Sequence, residues 1–357
     1  MNHPVVSIIL PVYNVSAYLE RCLDSLVAQT WRHLEIIAVN DGSTDNSRDI
    51  LARYQSRLPG MRIVDQENRG LAEARNAALA SASGEYIYCL DSDDHIASDG
   101  IETIVREMEK HHLDVLFFST HLEFHLHHIS NNMVSGYYQR PRNLINKTFH
   151  AETFFNHCIT ERARTGHGYS VVVWGYAWRR KTYAHMRFKT PFFEDEYFTT
   201  ELLLSVPDAK VRCLADRLYF HTIRNGSITT SSSKAKRALA ILDTFRLLLP
   251  RAGNISNPRT VQCLNRYTGM LYQDAIIRNL PETLPLFSAQ KMIHYLASIF
   301  HELYVDTPTE NGLVLLHALI NQIARDSNII DESEFIALSG RIELAIKNKR
   351  RILAEGF

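Results

Sequence analysis

The chain has 357 residues, 45% of them hydrophobic, which suits one large domain plus a smaller one. Lys+Arg and Asp+Glu both number 39, so the formal charge is zero and no global basic field points to nucleic acid. The five cysteines (Cys22, Cys89, Cys158, Cys213, Cys263) never form a C-x-x-C pair, which favours reduced thiols over a disulfide framework or a zinc site.

Met1-Asn2-His3-Pro4 leads straight into a strand-like run, with no signal-peptide pattern. No stretch of about 18 apolar residues occurs. The expectation is a cytoplasmic protein. Val5 to Val12 is an apolar run, and Leu19, Leu23, Leu26 and Val27 give residues 16–29 helical spacing. Ile36 to Val39 is the next run. It enters the turn Asn40-Asp41-Gly42-Ser43-Thr44-Asp45, whose hydroxyls suit capping of a helix over 45–57. Arg62 to Val64 is a weaker strand. Leu71 to Ala82 is an Ala-rich helix for which Gly84 is the expected stop. Tyr86 to Leu90 is a fourth strand; helix 99–111 and strand Asp114 to Ser119 follow.

Alternation of continuous apolar strands with helices implies a doubly wound, mostly parallel α/β sheet. Ligands of such sheets bind beyond the carboxyl ends of the strands. The polar clusters beginning at Tyr13, Asp41 and Asp91 all fall there. Asp91-Ser92-Asp93-Asp94 brings clustered carboxylates to the end of a buried strand. They need a cation or donors nearby at neutral pH, and a hard divalent metal with bound phosphates meets that need. An acidic capping loop is the alternative at this point. Residues 120–230 fit mixed strands and loops. Helical patterning returns at 234–249, 259–279, 289–303, 311–325 and 333–354, between Pro and Gly breaks.

Four ordered motifs carry a resemblance. Val6 to Asn14, Val39 to Asp45, Asn68-Arg69-Gly70-Leu71-Ala72-Glu73-Ala74-Arg75-Asn76, and Asp91 to Asp94 resemble family 2 glycosyltransferases of the GT-A fold. The likeness is strongest over residues 5–120. It implies a Rossmann-like GT-A catalytic domain over 1–230, with a nucleotide-sugar half (1–120) and an acceptor half (121–230), followed by a helical region over 231–357.

The resemblance also implies roles. Pro11 and Tyr13 would pack on the nucleotide base and ribose. Asp41 would accept a hydrogen bond from the base, and Arg75 would lie near base and phosphate. Asp91 would contact the ribose and Asp93 would ligate Mn²⁺ or Mg²⁺, with Asp94 assisting. Phe192-Phe193-Glu194-Asp195-Glu196 resembles the family's acidic acceptor element, which makes Asp195 the expected general base and Glu194 its helper. His221 would complete the metal shell and Arg224 would hold diphosphate. Trp174 and Trp178 resemble the segment before the acidic pair and are candidates for sugar stacking or for the core.

The expected activity is inverting, metal-dependent transfer of a sugar from a nucleotide diphosphate donor, a UDP-sugar first. The acceptor would be a hydroxyl of a growing surface glycan or lipid-linked oligosaccharide. The alternative is a non-catalytic nucleotide-sugar-binding or assembly subunit. A sugar-phosphate nucleotidyltransferase would carry a Gly-rich basic N-terminal loop, which Pro11-Val12-Tyr13-Asn14 is not. The cluster His121, His125, His127 and His128 has one zinc-like spacing on a strand, against a solvated or acceptor-facing strand. The basic, amphipathic 346–353 suits contact with an anionic membrane surface or a solvated terminal helix.

Overall fold

A computed structural model describes residues 3–124, 138, 140–190, 193–224, 234–276, 314, 317 and 332–355. The chain forms two compact units, Met1–Ser231 and Ser232–Phe357.

The first unit is built on a mixed nine-stranded sheet in the order β3-β2-β1-β4-β8-β6-β9-β5, with β7 pairing β9. Strands β1 (Val6–Val12), β2 (Leu34–Asp41), β3 (Met61–Gln66) and β4 (Tyr86–Cys89) run parallel. All seven residues of β1 are buried. Helices α1 (Ser16–Val27), α2 (Ser47–Tyr54), α3 (Leu71–Ser81) and α4 (Gly100–Lys110) alternate with these strands. In α1 the buried positions are Leu19, Cys22, Leu23 and Leu26, and in α4 they include Ile101, Ile104, Val105 and Met108. Each set is one apolar helical stripe.

β1 is the point where strand order reverses, with β2 on one side and β4 on the other. A crevice opens at such a point. Pro11 sits there without breaking a ladder. Its lone neighbour on that side is β4, whose pairing with β1 ends at Ile9↔Cys89, so the missing N–H faces a position the sheet has already left.

Beyond β4 the pairing becomes mixed. β8 (Tyr176–Arg179) is antiparallel to both β4 and β6 (Val115–Phe124), and β9 (Lys210–Ile223) is parallel to β6. β5 (His95–Ile96) and β7 (Thr148–His150) pair antiparallel with β9. Two helices complete this half, α5 (Ala151–Thr165) and α6 (Glu194–Ser205).

α5 lies in the stretch read as strands and loops. Its buried Ala151, Phe154, Phe155, Cys158 and Ile159 nevertheless have helical spacing, and Gly166 closes it in the left-handed region at φ 77°. Gly84 does not stop α3 as expected, because Ala82 is already extended. A side chain on Gly84 would meet Ser7 Oγ at 2.6 Å and Val5 O at 2.7 Å. Close approach to β1 is what that position demands.

In the second unit, helices α7 (Lys234–Leu248), α8 (Pro258–Ile276) and α9 (Glu332–Glu355) are described. The helices expected at 289–303 and 311–325 lie outside the described residues, apart from helical Val314 and His317. All five cysteines are buried and unbridged. No helix among the described residues is long and apolar enough to cross a membrane.

Candidate active site

The loops after β1 and β2 are stitched together by short polar side chains. Asn14 adopts φ 49°, and its Oδ1 accepts the Thr44 N–H (2.8 Å) and the Asp45 N–H (3.3 Å). Asp45 in turn accepts the first N–H groups of two helices, Ser16 at 2.9 Å and Ser47 at 2.9 Å. Partial burial opposes its charge, but these bonds outweigh it and pull its carboxyl down to about 2. The turn is closed by Asn40, which accepts the Ser43 N–H at 3.2 Å.

The Asp41 side chain is left to bond outside that turn. Its carboxylate accepts Gln66 Nε2 (2.7 Å), the Arg69 N–H (2.8 Å) and the Gly70 N–H (2.9 Å). Gly42, at φ 70°, lets the 68–70 loop come this close: a Cβ there would lie 2.8 Å from Asn68 N. Tyr13 projects from the β1 end and is 48% exposed, rare for a large apolar side chain here. Pro11 is buried.

The three carboxylates after β4 go three ways. Asp91 Oδ1 accepts Arg75 Nη2 at 2.7 Å. Asp93 Oδ2 accepts Arg224 Nε at 2.9 Å. Asp94 is 1% exposed and receives Tyr219 Oη (2.6 Å), the Thr222 N–H (2.6 Å) and His221 Nδ1 (2.9 Å), so it anchors the loop to β9. Burial, then the charges of Asp94 and Asp91, push Asp93 up to about 6, with Arg224 the opposing cation. Burial works against a proton on His221, but Asp94 outweighs it and the imidazole is raised above its usual value.

The acidic pair opens α6. Phe193, just before it, is in the left-handed region at φ 52°, a strained turn for an aromatic residue. Phe192 lies outside the described residues. Glu194 and Asp195 meet Arg75 Nη1, Asp195 at 3.1 Å. Asp195 Oδ2 also accepts the Val173 N–H at 3.2 Å. Burial raises both carboxyls; Arg75 opposes this, and the mutual repulsion with Asp91 adds to it.

Tertiary structure thus brings Asp91, Arg75, Glu194 and Asp195 into one cluster, and Asp93, Asp94, His221 and Arg224 into a second on the same loop. Arg75 was expected beside base and phosphate; its guanidinium lies among three carboxylates. Arg224 was expected on diphosphate; it pairs Asp93 and lies over the Tyr18 ring at 4.7 Å. Trp174 and Trp178 are core residues, 3% and 1% exposed. Trp174 stacks on Tyr219 with centroids 4.3 Å apart and on His221 at 5.1 Å. Sequence reasoning missed Tyr219 and Thr222. The signal was present, since Tyr219 and His221 alternate on one strand and share a face. His121 stacks on Phe220 at 4.8 Å. His125, His127 and His128 lie outside the described residues, as do 225–229.

Asp93 is the best fit for a hard divalent cation, being a buried carboxylate crowded by like charges. His221 fits a supporting role, because a ligating imidazole characteristically gives its other nitrogen to a carboxylate. Among the described residues no three His, Cys, Asp or Glu side chains gather as a metal cluster.

A mixed sheet whose parallel half carries carboxylates at a strand-order reversal, joined to an acidic helix start, defines an α/β domain with its polar cleft at the carboxyl ends of the strands. Residues 7–182 match the model of Glycosyl transferase family 2, and the chain carries a domain of that family. Glycosyltransferase GlyA of Streptococcus pneumoniae is 31% identical over 63% of this chain and 31% of its own length. Chondroitin synthase of Pasteurella multocida is 43% identical over 30% of this chain and 11% of its own. The chain therefore spans about a third or less of these relatives. S. aureus TarS in complex with UDP-GlcNAc shares the fold at TM-score 0.56, 19% identity, over 97% of this chain and 89% of that one. A Pyrobaculum calidifontis mannosyltransferase in complex with GDP-Man and Mn²⁺ does so at TM-score 0.50, 17% identity, over 98% and 83%.

Proposed function

We propose that the chain moves a sugar, with inversion, from a nucleoside diphosphate donor to a hydroxyl of a growing surface glycan or lipid-linked oligosaccharide. The observation that carries this is one buried guanidinium joining the donor-side Asp91 to the acceptor-side Glu194 and Asp195. UDP is the first candidate donor nucleotide, in keeping with the UDP-GlcNAc and UDP complexes of the S. aureus neighbour.

In this reading Tyr13 and Pro11 receive base and ribose, Asp41 accepts from the base, and Asp91 meets the ribose. Asp93, with His221, would hold Mn²⁺ or Mg²⁺, which when bound neutralises charge on the departing diphosphate. Asp195 takes the proton of the acceptor hydroxyl as its oxygen bonds to the anomeric carbon and the sugar–phosphate bond breaks. Burial raises the Asp195 carboxyl, with Arg75 opposing, and so favours proton uptake by this group. The protein would work in the cytoplasm, with peripheral membrane contact through the basic end of α9.

The test is nucleotide release by purified protein with Mn²⁺, a panel of nucleotide sugars, and glycan or lipid-linked acceptors. Asp195→Asn is expected to retain donor binding and to lose turnover by about 1,000-fold or more. Unchanged turnover removes Asp195 from the base role. Donor binding without acceptor-dependent release by the wild type would leave a nucleotide-sugar-binding subunit.

A further inference from the structure

The consecutive residues Arg75 and Asn76 of α3 both reach across to the segment that leads into α6. Asn76 grips the backbone of Phe188 from both sides: its Nδ2 donates to Phe188 O at 2.8 Å, and its Oδ1 accepts the Phe188 N–H at 2.9 Å. Arg75 takes the end of the same segment through Glu194 and Asp195, and holds Asp91 with its other terminal nitrogen. Its guanidinium lies over the Phe188 ring at 5.3 Å. The side chain is 1% exposed, and its Nε is buried with no hydrogen-bond partner, so the two outer nitrogens place it. Burial opposes its charge, but Asp91, Asp195 and Glu194 keep it cationic.

We propose that Arg75 and Asn76 form a clamp of positioning residues, not donor ligands, which sets the acceptor-side base at a fixed distance from the donor-side carboxylate. This rests on the functional reading above. Asp91 and Asp195 are 104 residues apart in the sequence, one in the loop after β4 and the other in the first turn of α6. The Val173 N–H also holds Asp195, but the group that spans the two carboxylates is the guanidinium, whose planar fork presents donors in fixed directions. A lysine supplies the charge but only a single ammonium centre. It can hold one or two of the carboxylates and leaves their mutual geometry loose, and a misplacement of about 1 Å costs about 100-fold in rate. Asn76 adds a restraint on the backbone six residues before the acidic pair, where the chain must enter the strained Phe193 turn.

The experiment compares wild type, Arg75→Lys, Arg75→Gln and Asn76→Ala. Each is measured for melting temperature, for binding of UDP and of GDP with Mn²⁺ by calorimetry, and for kcat and donor KM. Arg75→Lys is expected to stay folded and to bind the nucleotide within about threefold of wild type. Its kcat should fall by about 100-fold with little change in KM. Asn76→Ala should lower kcat by about tenfold with unchanged nucleotide affinity. Arg75→Gln, which leaves three carboxylates without their cation, should be the worst, and its melting temperature shows how much of that is unfolding. Nucleotide affinity that falls in step with kcat in Arg75→Lys would make Arg75 a donor ligand and overturn the clamp. So would wild-type kcat in both Arg75→Lys and Asn76→Ala. A wild type that binds neither nucleotide defeats the functional reading, and the clamp with it.

Discussion

The carboxylates of the parallel half and those facing the mixed half are held by different means. Asp41 and Asp45 are gripped by backbone N–H groups of adjoining loops. Asp93 and Asp195 meet guanidinium groups that come from distant stretches of chain, and Asp91 meets the same Arg75 that holds Asp195. The consequence is plainest in two members, Asp45 pulled down to about 2 and Asp93 pushed up to about 6. Backbone donors favour the ionised form and freeze a loop. Burial among like charges disfavours it and leaves a carboxylate whose charge is best completed by a cation or a proton. The first kind builds the rim of the cleft; the second is suited to chemistry.

Replacing Asp93 by Asn probes the second kind most severely. Turnover should fall by at least about 100-fold, and chelation of divalent metal from the wild type should do the same. The ligand-free stability should move the other way. A carboxyl raised in the folded state contributes stability below its unfolded value of 3.8, and loses it as pH rises through about 6. Above that pH, Asp93→Asn should therefore gain up to about 3 kcal/mol over wild type, read from urea melts at pH 4 and 7.5. No gap between those pH values would break the contrast.

Asp41→Asn is the case that tests the boundary, because a backbone-held carboxylate is here given a substrate role. Donor affinity is expected to fall by about tenfold, alongside a stability loss of about 1 kcal/mol from donors turned toward the 68–70 amides. A loss of stability with untouched donor affinity would sharpen the comparison by making Asp41 purely a rim residue.

The smallest effect belongs to Asp45→Asn: about 1 kcal/mol of stability at neutral pH, kept small because water reaches the site, with turnover near normal. Its contribution should be present above pH 4 and fade as pH falls toward 2. A thermal-melt series in acid reads this directly, and a large loss of turnover instead would move Asp45 into the working set.

Legibility follows the same divide. In the parallel half β1, β2 and β4 each contain a continuous apolar run followed by a polar turn, so they and the residues after them could be read from local pattern. Arg75 was legible as important but not in its partners, since the acidic pair it meets lies 119 and 120 residues on. Asp94 is similar: nothing near it in sequence announces Tyr219, His221 and Thr222 as its donors. The helix over 151–165 was readable and passed over, because the aromatic residues that fill its inward stripe suit strands equally well.

The sequence alone determined that strands and helices alternate over the first 120 residues, that polar turns stand at the strand ends, and which side chains are acidic there. Period and turn chemistry are local properties, so they need no partner to be read. Only the tertiary structure decided which cation each carboxylate meets, which carboxyls are raised and which lowered, and that Arg75 lies between Asp91 and the Glu194–Asp195 pair. Those depend on burial and on contacts between segments over a hundred residues apart, and the pattern of one segment holds no record of the other.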